Sequence, residues 1–268
     1  MLRKRIIFTL IYENNFFNQS RNFRLQKVGN ISWLEKNYKF QEIAFSLDEL
    51  IVLNASKQEK NIELFSKVLN NLLDDVFIPI AAGGGIRTLD DAKCLFDNGA
   101  DKLVINTILY ENRALVKQLV QKYGSQSIVA NIDYKKINDI NCVFINDGKT
   151  ELDIEFNKYI DEIESLEVGE IYLNSIDKDG TGFGYDLNIL NSIPKNLNAP
   201  LILAGGAGNY KHFILALENK KIDAVATANL FNFINDGLKI ARINLLKKFN
   251  FPNWKSEKII ELENIFKK

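Results

Sequence analysis

Asp133 closes the apolar run Ile128-Val129-Ala130-Asn131-Ile132. A carboxyl group at the end of a buried strand can hold a proton for a ligand lying across it. Asp177 and Asp179 follow another apolar run, inside Asn174-Ser175-Ile176-Asp177-Lys178-Asp179-Gly180-Thr181-Gly182. They suit the same acid–base work, or a polar turn or helix cap. Gly180, Thr181 and Gly182 are placed to meet ligand oxygens. Two glycine-rich stretches sit about half a chain apart, Ala81-Ala82-Gly83-Gly84-Gly85-Ile86 and Leu203-Ala204-Gly205-Gly206-Ala207-Gly208. Each follows a strand pattern and precedes a helical one. Backbone N–H groups in such a turn bind phosphate without a lysine, although glycines there also simply permit a tight turn. The first candidate anion site is Gly83, Gly84 and Gly85 with Asn106 and Thr107. The second is Gly205, Gly206 and Gly208 with Ala228 and Asn229. Together they suit a long ligand with an anionic group at each end.

Composition narrows the classes. Lys+Arg and Asp+Glu balance at 34 each, so no net charge favours nucleic acid or an anionic membrane surface. The two cysteines, Cys94 and Cys142, are too few for a disulfide framework or a cysteine zinc site, and the one histidine, His212, reads as a surface or cap residue on a helix. No metal or other cofactor is expected. No stretch reaches the roughly 18 uninterrupted apolar residues of a membrane span. The start, Met1-Leu2-Arg3-Lys4-Arg5 before Ile6-Ile7-Phe8, reads as a first strand, and a soluble cytoplasmic protein is expected.

The elements that must position these residues alternate regularly. Strands are expected at Arg5–Ile11, Glu49–Asn54, Phe77–Ala82, Lys102–Asn106, Ser127–Ile132, Glu170–Asn174, Pro200–Ala204 and Asp223–Thr227. Several are apolar throughout, as strands buried on both faces must be. Helical periodicity falls between them at Ile62–Leu73, Leu89–Asn98, Leu115–Tyr123, Ile154–Leu166 and Tyr210–Glu218. Eight strands separated by helices favour an α/β (β/α)8 barrel over residues 1–250, with a helical extension over 251–268.

The chain also repeats itself. Pro79-Ile80-Ala81-Ala82-Gly83-Gly84-Gly85 matches Pro200-Leu201-Ile202-Leu203-Ala204-Gly205-Gly206, and Glu49–Asn54 matches Glu170–Ser175 at the same offset. Two (β/α)4 halves follow. The site then belongs at the C-terminal strand ends, on one face of the barrel. Arg5, Glu49, Lys102 and Glu170 stand near strand starts at the other face. Pointing inward, they make a ring of two cations and two anions, which is either a structural salt-bridge layer or a gate on a route through the barrel.

Over nearly its whole length the chain resembles the cyclase subunit of imidazole glycerol phosphate synthase. The resemblance rests on Arg5-Ile6-Ile7, Ala82-Gly83-Gly84-Gly85-Ile86-Arg87, Gly99-Ala100-Asp101-Lys102, Tyr123-Gly124-Ser125-Gln126, Ile176-Asp177-Lys178-Asp179-Gly180-Thr181 with Gly184-Tyr185-Asp186, and Gly205-Gly206-Ala207-Gly208-Asn209. It implies a (β/α)8 barrel with a partner glutaminase on its bottom and ammonia passing through it to a bisphosphate at the top. It also implies an ammonia gate at Arg5, Glu49, Lys102 and Glu170, a glutaminase contact at Asp101, a general acid at Asp133 and a further active-site acid at Asp179.

The departures from that family are specific. Its first strand ends in a catalytic aspartate, where this chain has Ile11 in Thr9-Leu10-Ile11-Tyr12. The internal repeat exposes the same loss, because Ile11 is the counterpart of Asp133. The family's loop-one lysine falls near Gln19, and its acid after strand two falls at Asn54. In Phe8-Thr9-Leu10 and Ser20–Gly29 the chain resembles divergent members associated with surface-polysaccharide clusters. That likeness implies an amidotransferase system, with a glutaminase and a separate ATP-using amidating protein, that turns an acetamido group on a sugar into an acetamidino group. The alternatives are a genuine cyclase of histidine biosynthesis and a non-catalytic scaffold that activates a glutaminase.

Overall fold

The computed structural model describes residues 4–38, 46–57, 60–73, 76, 78–229 and 237–249. The expected extension over 251–268 lies outside them, as does Phe77. The strands are β1 (Arg5–Glu13), β2 (Phe16–Arg21), β3 (Arg24–Gly29), β4 (Glu49–Asn54), β5 (Ile80–Gly83), β6 (Lys102–Ile105), β7 (Ile128–Ile137), β8 (Ile140–Ile145), β9 (Thr150–Glu151), β10 (Glu170–Ser175), β11 (Leu201–Ala204) and β12 (Ile222–Thr227). Among the described residues eight of them, β1, β4, β5, β6, β7, β10, β11 and β12, pair in parallel in that order, and β12 returns to β1. This is the closed (β/α)8 barrel that the alternation of patterns implies.

Alternation along each strand sorts side chains into two cores. Inward positions pack Ile7, Ile51, Ala81, Val104, Val129, Tyr172, Ile202 and Ala224 around the axis. Outward positions such as Ile6, Phe8, Leu50 and Leu103 pack against the helices. Helices occupy Ile62–Leu73, Leu89–Asp97, Arg113–Tyr123, Phe156–Glu164 and Tyr210–Leu217, each within about two residues of its periodic pattern. Thr88 starts the Leu89–Asp97 helix with a capping box: its side chain accepts from Asp91 N, and the Asp91 carboxylate accepts from Thr88 N. Among the described residues no helix is long and apolar enough to cross a membrane.

The duplication extends beyond its sequence signal. The first strand of each half, β1 and β7, overruns the barrel and turns back as an antiparallel hairpin, β2–β3 in one half and β8–β9 in the other. All four turns place two consecutive residues at positive φ: Asn14-Asn15, Asn22-Phe23, Asn138-Asp139 and Asn146-Asp147. Such pairs match the twist of hairpin strands, and Asn and Asp tolerate the conformation best. Phe23, at φ 61, is the exception, and it is held in place by contacts described below. Neither hairpin is among the strands expected from the sequence, where the first ends at Ile11 and the fifth at Ile132.

The helix Gly237–Leu246 closes the barrel from outside through Arg242. That guanidinium is 1% exposed and lies 2.7 Å from Asp48, whose same oxygen accepts from Ile6 N at 2.7 Å.

Candidate functional site

The strand C-termini open onto a cavity of about 330 Å³. Of the residues expected there, Gly84, Gly85, Asn106, Thr107 and Asp133 form one side of its wall. Asp179, Gly180, Gly205, Gly206, Ala228 and Asn229 form the other.

Asp133 is 4% exposed and held by three side-chain amides. Asn174 donates to its Oδ1 at 3.0 Å, Asn131 to the same oxygen at 3.2 Å, and Asn106 to Oδ2 at 3.1 Å. Burial pushes the carboxyl up to about 7, and the amides of Asn174 and Asn131 offset only part of that rise. A group poised there can both take and give a proton near neutrality. Asn131 and Asn174 are missing from the residues expected in the site. Asn131 was legible in principle, standing two residues before Asp133 and hence on the same strand face. Asn174 reaches Asp133 only because β10 pairs with β7 in that register.

Asp179 also borders the cavity, but its carboxylate is engaged. Ser20 Oγ donates to its Oδ2 at 2.5 Å and Phe23 N at 3.0 Å, while Asn22 N donates to its main-chain oxygen. The Asn22 amide reaches Ile176 O and Asp177 O. On the other side, a Cβ added to Gly148 would lie 2.6 Å from the Phe23 ring. The β2–β3 hairpin is therefore strapped across the mouth, with Ser20, Phe23 and Leu25 forming part of the cavity wall. Burial raises the Asp179 carboxyl, offset by Ser20 and Phe23 N. Asp177, the other acid of that loop, accepts from Lys136 N at 2.7 Å and serves the turn. Replacing Asp179 by Ala removes two hydrogen bonds to a carboxylate, roughly 2–3 kcal/mol of strap closure. Trypsin cleavage at Arg21 and Arg24 is expected to accelerate by about 30-fold or more; an unchanged rate would show that the strap does not depend on Asp179.

The glycine turns have packing reasons as well as open N–H groups. Gly84 and Gly206 lie at φ 97 and 106, and added Cβ atoms would fall 2.2 Å from Asn54 O and 2.1 Å from Gly184 O. Three expected ligand contacts need correction. Gly83 is the last residue of β5, away from the cavity wall, where a Cβ would meet Val104 O at 2.2 Å. Gly208 gives its N–H to His212 Nδ1 at 3.0 Å, so His212 braces the second turn. Thr181 is also off the wall, and its hydroxyl donates to Lys178 O at 2.8 Å. Four cations not expected in the site, Lys57, Lys60, Arg87 and Lys149, also line the cavity; Lys60 pairs with Asp147 at 2.6 Å.

At the position corresponding to Asp133 in the other half the wall is apolar. β1 and β4 pair Ile11 with Leu53, and both face the cavity. Asn54 caps its own turn by accepting from Ser56 N.

At the barrel bottom the four charges close a ring. Arg5 lies 3.1 Å from Glu49 and 2.7 Å from Glu170; Lys102 lies 2.9 Å from Glu49 and 3.2 Å from Glu170. Burial raises the Glu49 carboxyl, offset chiefly by Lys102. Asp101, beside Lys102, is exposed and accepts from Ile80 N at 2.8 Å.

Fold and site together define a duplicated (β/α)8 barrel with a glycine turn on each half at the mouth and a closed charge ring beneath. The chain belongs to the histidine biosynthesis protein family, whose model matches residues 22–235, and is like the cyclase subunit of imidazole glycerol phosphate synthase. It is 45% identical over 242 residues to a provisionally named imidazole glycerol phosphate synthase subunit hisF2 of Parasynechococcus marenigrum, covering 90% of each chain. It is 35% identical to subunit HisF of the same synthase from Sulfurisphaera tokodaii, over 93% of this chain and 96% of that one. The HisF of Clostridium botulinum strain Kyoto is 34% identical, over 94% and 98%.

Proposed function

We propose that this chain is the ammonia-using subunit of a glutamine-dependent enzyme that has moved from ring closure to amidation of a phosphate-bearing sugar destined for surface polysaccharide. The observation that carries this reading is the one-sided acid–base apparatus. Asp133 keeps a buried, amide-held carboxyl in one half, while its counterpart position presents Ile11 beside Leu53. An isoleucine moves no proton, and losing one member of an acid–base pair removes about 10²–10⁴ in rate. The charge ring and the turns at Gly84–Gly85 and Gly205–Gly206 are retained, which supports continued ammonia entry and anion binding.

In the proposed reaction ammonia nitrogen attacks the acetamido carbon. The amide oxygen leaves after activation by a separate ATP-using protein, and an acetamidino group results. Asp133 takes the proton released from nitrogen. Arg5, Glu49, Lys102 and Glu170 admit the ammonia, a glutaminase docks on the barrel bottom near Asp101, and the assembly works in the cytoplasm. The names of the HisF relatives favour the other reading, cyclisation in histidine biosynthesis.

One assay separates the two. Purified chain with ammonia and the bisphosphate intermediate of histidine synthesis is expected to form no imidazole product; robust turnover would overturn the proposal. In cells fed amide-labelled glutamine, label is expected in polysaccharide amidine groups, and to disappear with Asp133→Asn. Labelling that survives that change would make the chain a scaffold.

A further inference from the structure

Between the charge ring and Asp133 the barrel axis carries polar side chains, and of these Asn131 gives only its amide nitrogen to Asp133. On β10 the inward positions run Glu170, Tyr172, Asn174, and on β7 they run Val129, Asn131, Asp133. Tyr172 pairs in register with Asn131, and its hydroxyl meets Thr9 Oγ of β1 at 3.3 Å, with both residues buried. Thr9, Asn131 and Tyr172 all border the lower part of the cavity, together with Val104, Ala204 and Ala226, whose small or short side chains leave room.

Asn131 is 8% exposed, and its amide N–H is given to Asp133. Its Oδ1 is fully buried and accepts from no donor among the described residues. An unsatisfied buried acceptor costs about 1–3 kcal/mol, so a sequence keeps one mainly where something else supplies the donor. Asn131 is too deep for the anionic ends of a ligand at the mouth, and its oxygen would repel them. The Thr9–Tyr172 pair adds a complementary feature. One hydroxyl donates to the other, and the second hydroxyl's hydrogen remains to be placed on an acceptor. A small molecule held there would donate to Asn131 and accept from a hydroxyl, and would fit beside Ala204 and Ala226 on the barrel axis. Water and neutral ammonia both have these capacities, and ammonia is the one that the proposed reaction brings along the barrel axis. Ammonium has no lone pair to accept with, and its charge is costly between apolar walls.

We propose that Asn131 Oδ1 and the Thr9–Tyr172 hydroxyl pair form a binding station for one molecule of neutral ammonia inside the barrel, directly beneath Asp133. The station rests on the reading of the chain as an ammonia-using subunit, and it makes Asn131 and Tyr172 positioning residues for the incoming nitrogen.

The test is a nuclear magnetic resonance titration of the full chain with ammonium chloride, at an alkaline pH where neutral ammonia is present. The reporters are the Asn131 side-chain amide and the backbone amides of Thr9 and Tyr172. A saturable shift confined to these groups, absent with sodium chloride and absent at acid pH, is the expected result. Tyr172→Phe removes only the hydroxyl and is expected to raise the midpoint by up to about tenfold. Asn131→Leu, if it folds, is expected to abolish the response at Thr9 and Tyr172. Shifts equal to those with sodium chloride, or none, would mean water alone and overturn the station. So would a midpoint indifferent to Tyr172→Phe, or a response that follows ammonium at acid pH. Glutaminase binding, measured on the same protein, tests the underlying reading separately. A bound glutaminase without the shift sinks the station alone, whereas a shift in a chain that binds no glutaminase upholds the station and counts against the subunit reading.

Discussion

D133N is expected to lower the ammonia-dependent reaction by about 10²–10⁴ and to make the protein more stable than the parent above neutral pH. The second effect follows from linkage. The Asp133 carboxyl titrates near 3.9 in an unfolded chain and is pushed up to about 7 by burial in the native one. The native state therefore binds the proton more tightly. The stability contributed by this group is complete below about pH 4 and is lost as pH rises through about 7. Asn cannot ionise, so the variant escapes that loss. It has its own cost. Asn174 and Asn131 both donate to Oδ1 and Asn106 donates to Oδ2. An amide nitrogen replacing Oδ2 would face the Asn106 donor, a penalty of about 1 kcal/mol. Melting curves of the two proteins are thus expected to cross, with the parent ahead at pH 5 and D133N ahead at pH 8. Parallel curves across that range would show that Asp133 does not titrate as a buried acid, and undiminished turnover would remove it from the reaction. The parent's own rate is expected to change with an apparent pKa near 7.

The largest stability effect is expected far from the cavity, at Arg242. Its guanidinium is 1% exposed, lies 2.7 Å from Asp48 and donates through Nε to Ser46 O at 3.1 Å. Asp48 is also buried; burial raises its carboxyl, and Arg242 is the main offset. Arg242→Ala leaves that charge without its counter-ion, which typically costs 3–5 kcal/mol, on the order of what breaking a buried pair costs elsewhere. In a chain of this size the midpoint should fall by about 6–20 °C. Pairing Arg242→Met with Asp48→Asn removes the uncompensated charge, keeps an acceptor for Ile6 N and should recover most of the loss. Thermal or denaturant melts decide it. A loss under about 1 kcal/mol for the single variant would mean that Asp48 finds another partner or takes up a proton.

Local pattern was enough for the barrel. Apolar runs of strand length, helical periodicity between them and the two Pro-to-Gly repeats imply eight parallel strands in two halves, because strands buried on both faces cannot hide their composition. The mouth, the glycine turns, Asp133 and the inward ring of Arg5, Glu49, Lys102 and Glu170 follow from strand ends and strand starts alone. The loss of a carboxylate at Ile11 was legible too, since the repeat supplies its own internal standard in Asp133.

Tertiary structure decided most of the rest, because most of the relevant partners are distant in the chain. Asp179 reads as an acid facing substrate, yet its oxygen is taken by Ser20 and Phe23, brought to it by an unforeseen hairpin whose turn residues are unremarkable apart from Asn22. Gly208 and Thr181 read as ligand contacts, yet the folding of their own turns gives their hydrogen-bonding groups to His212, four residues on, and to Lys178 O, three residues back. Asn174 meets Asp133 only through the β7–β10 register. Arg242, which no sequence pattern singled out, is a buried ion because Asp48 waits beneath it. The sequence by itself determined which positions face inward and which strand ends carry carboxylates and glycines, since both follow from a period of two and from turn stereochemistry. Which of those groups remain available for a ligand was settled by the folded turns, the strap and the closure of the barrel, which spend hydrogen-bonding capacity on contacts that residue type alone does not record.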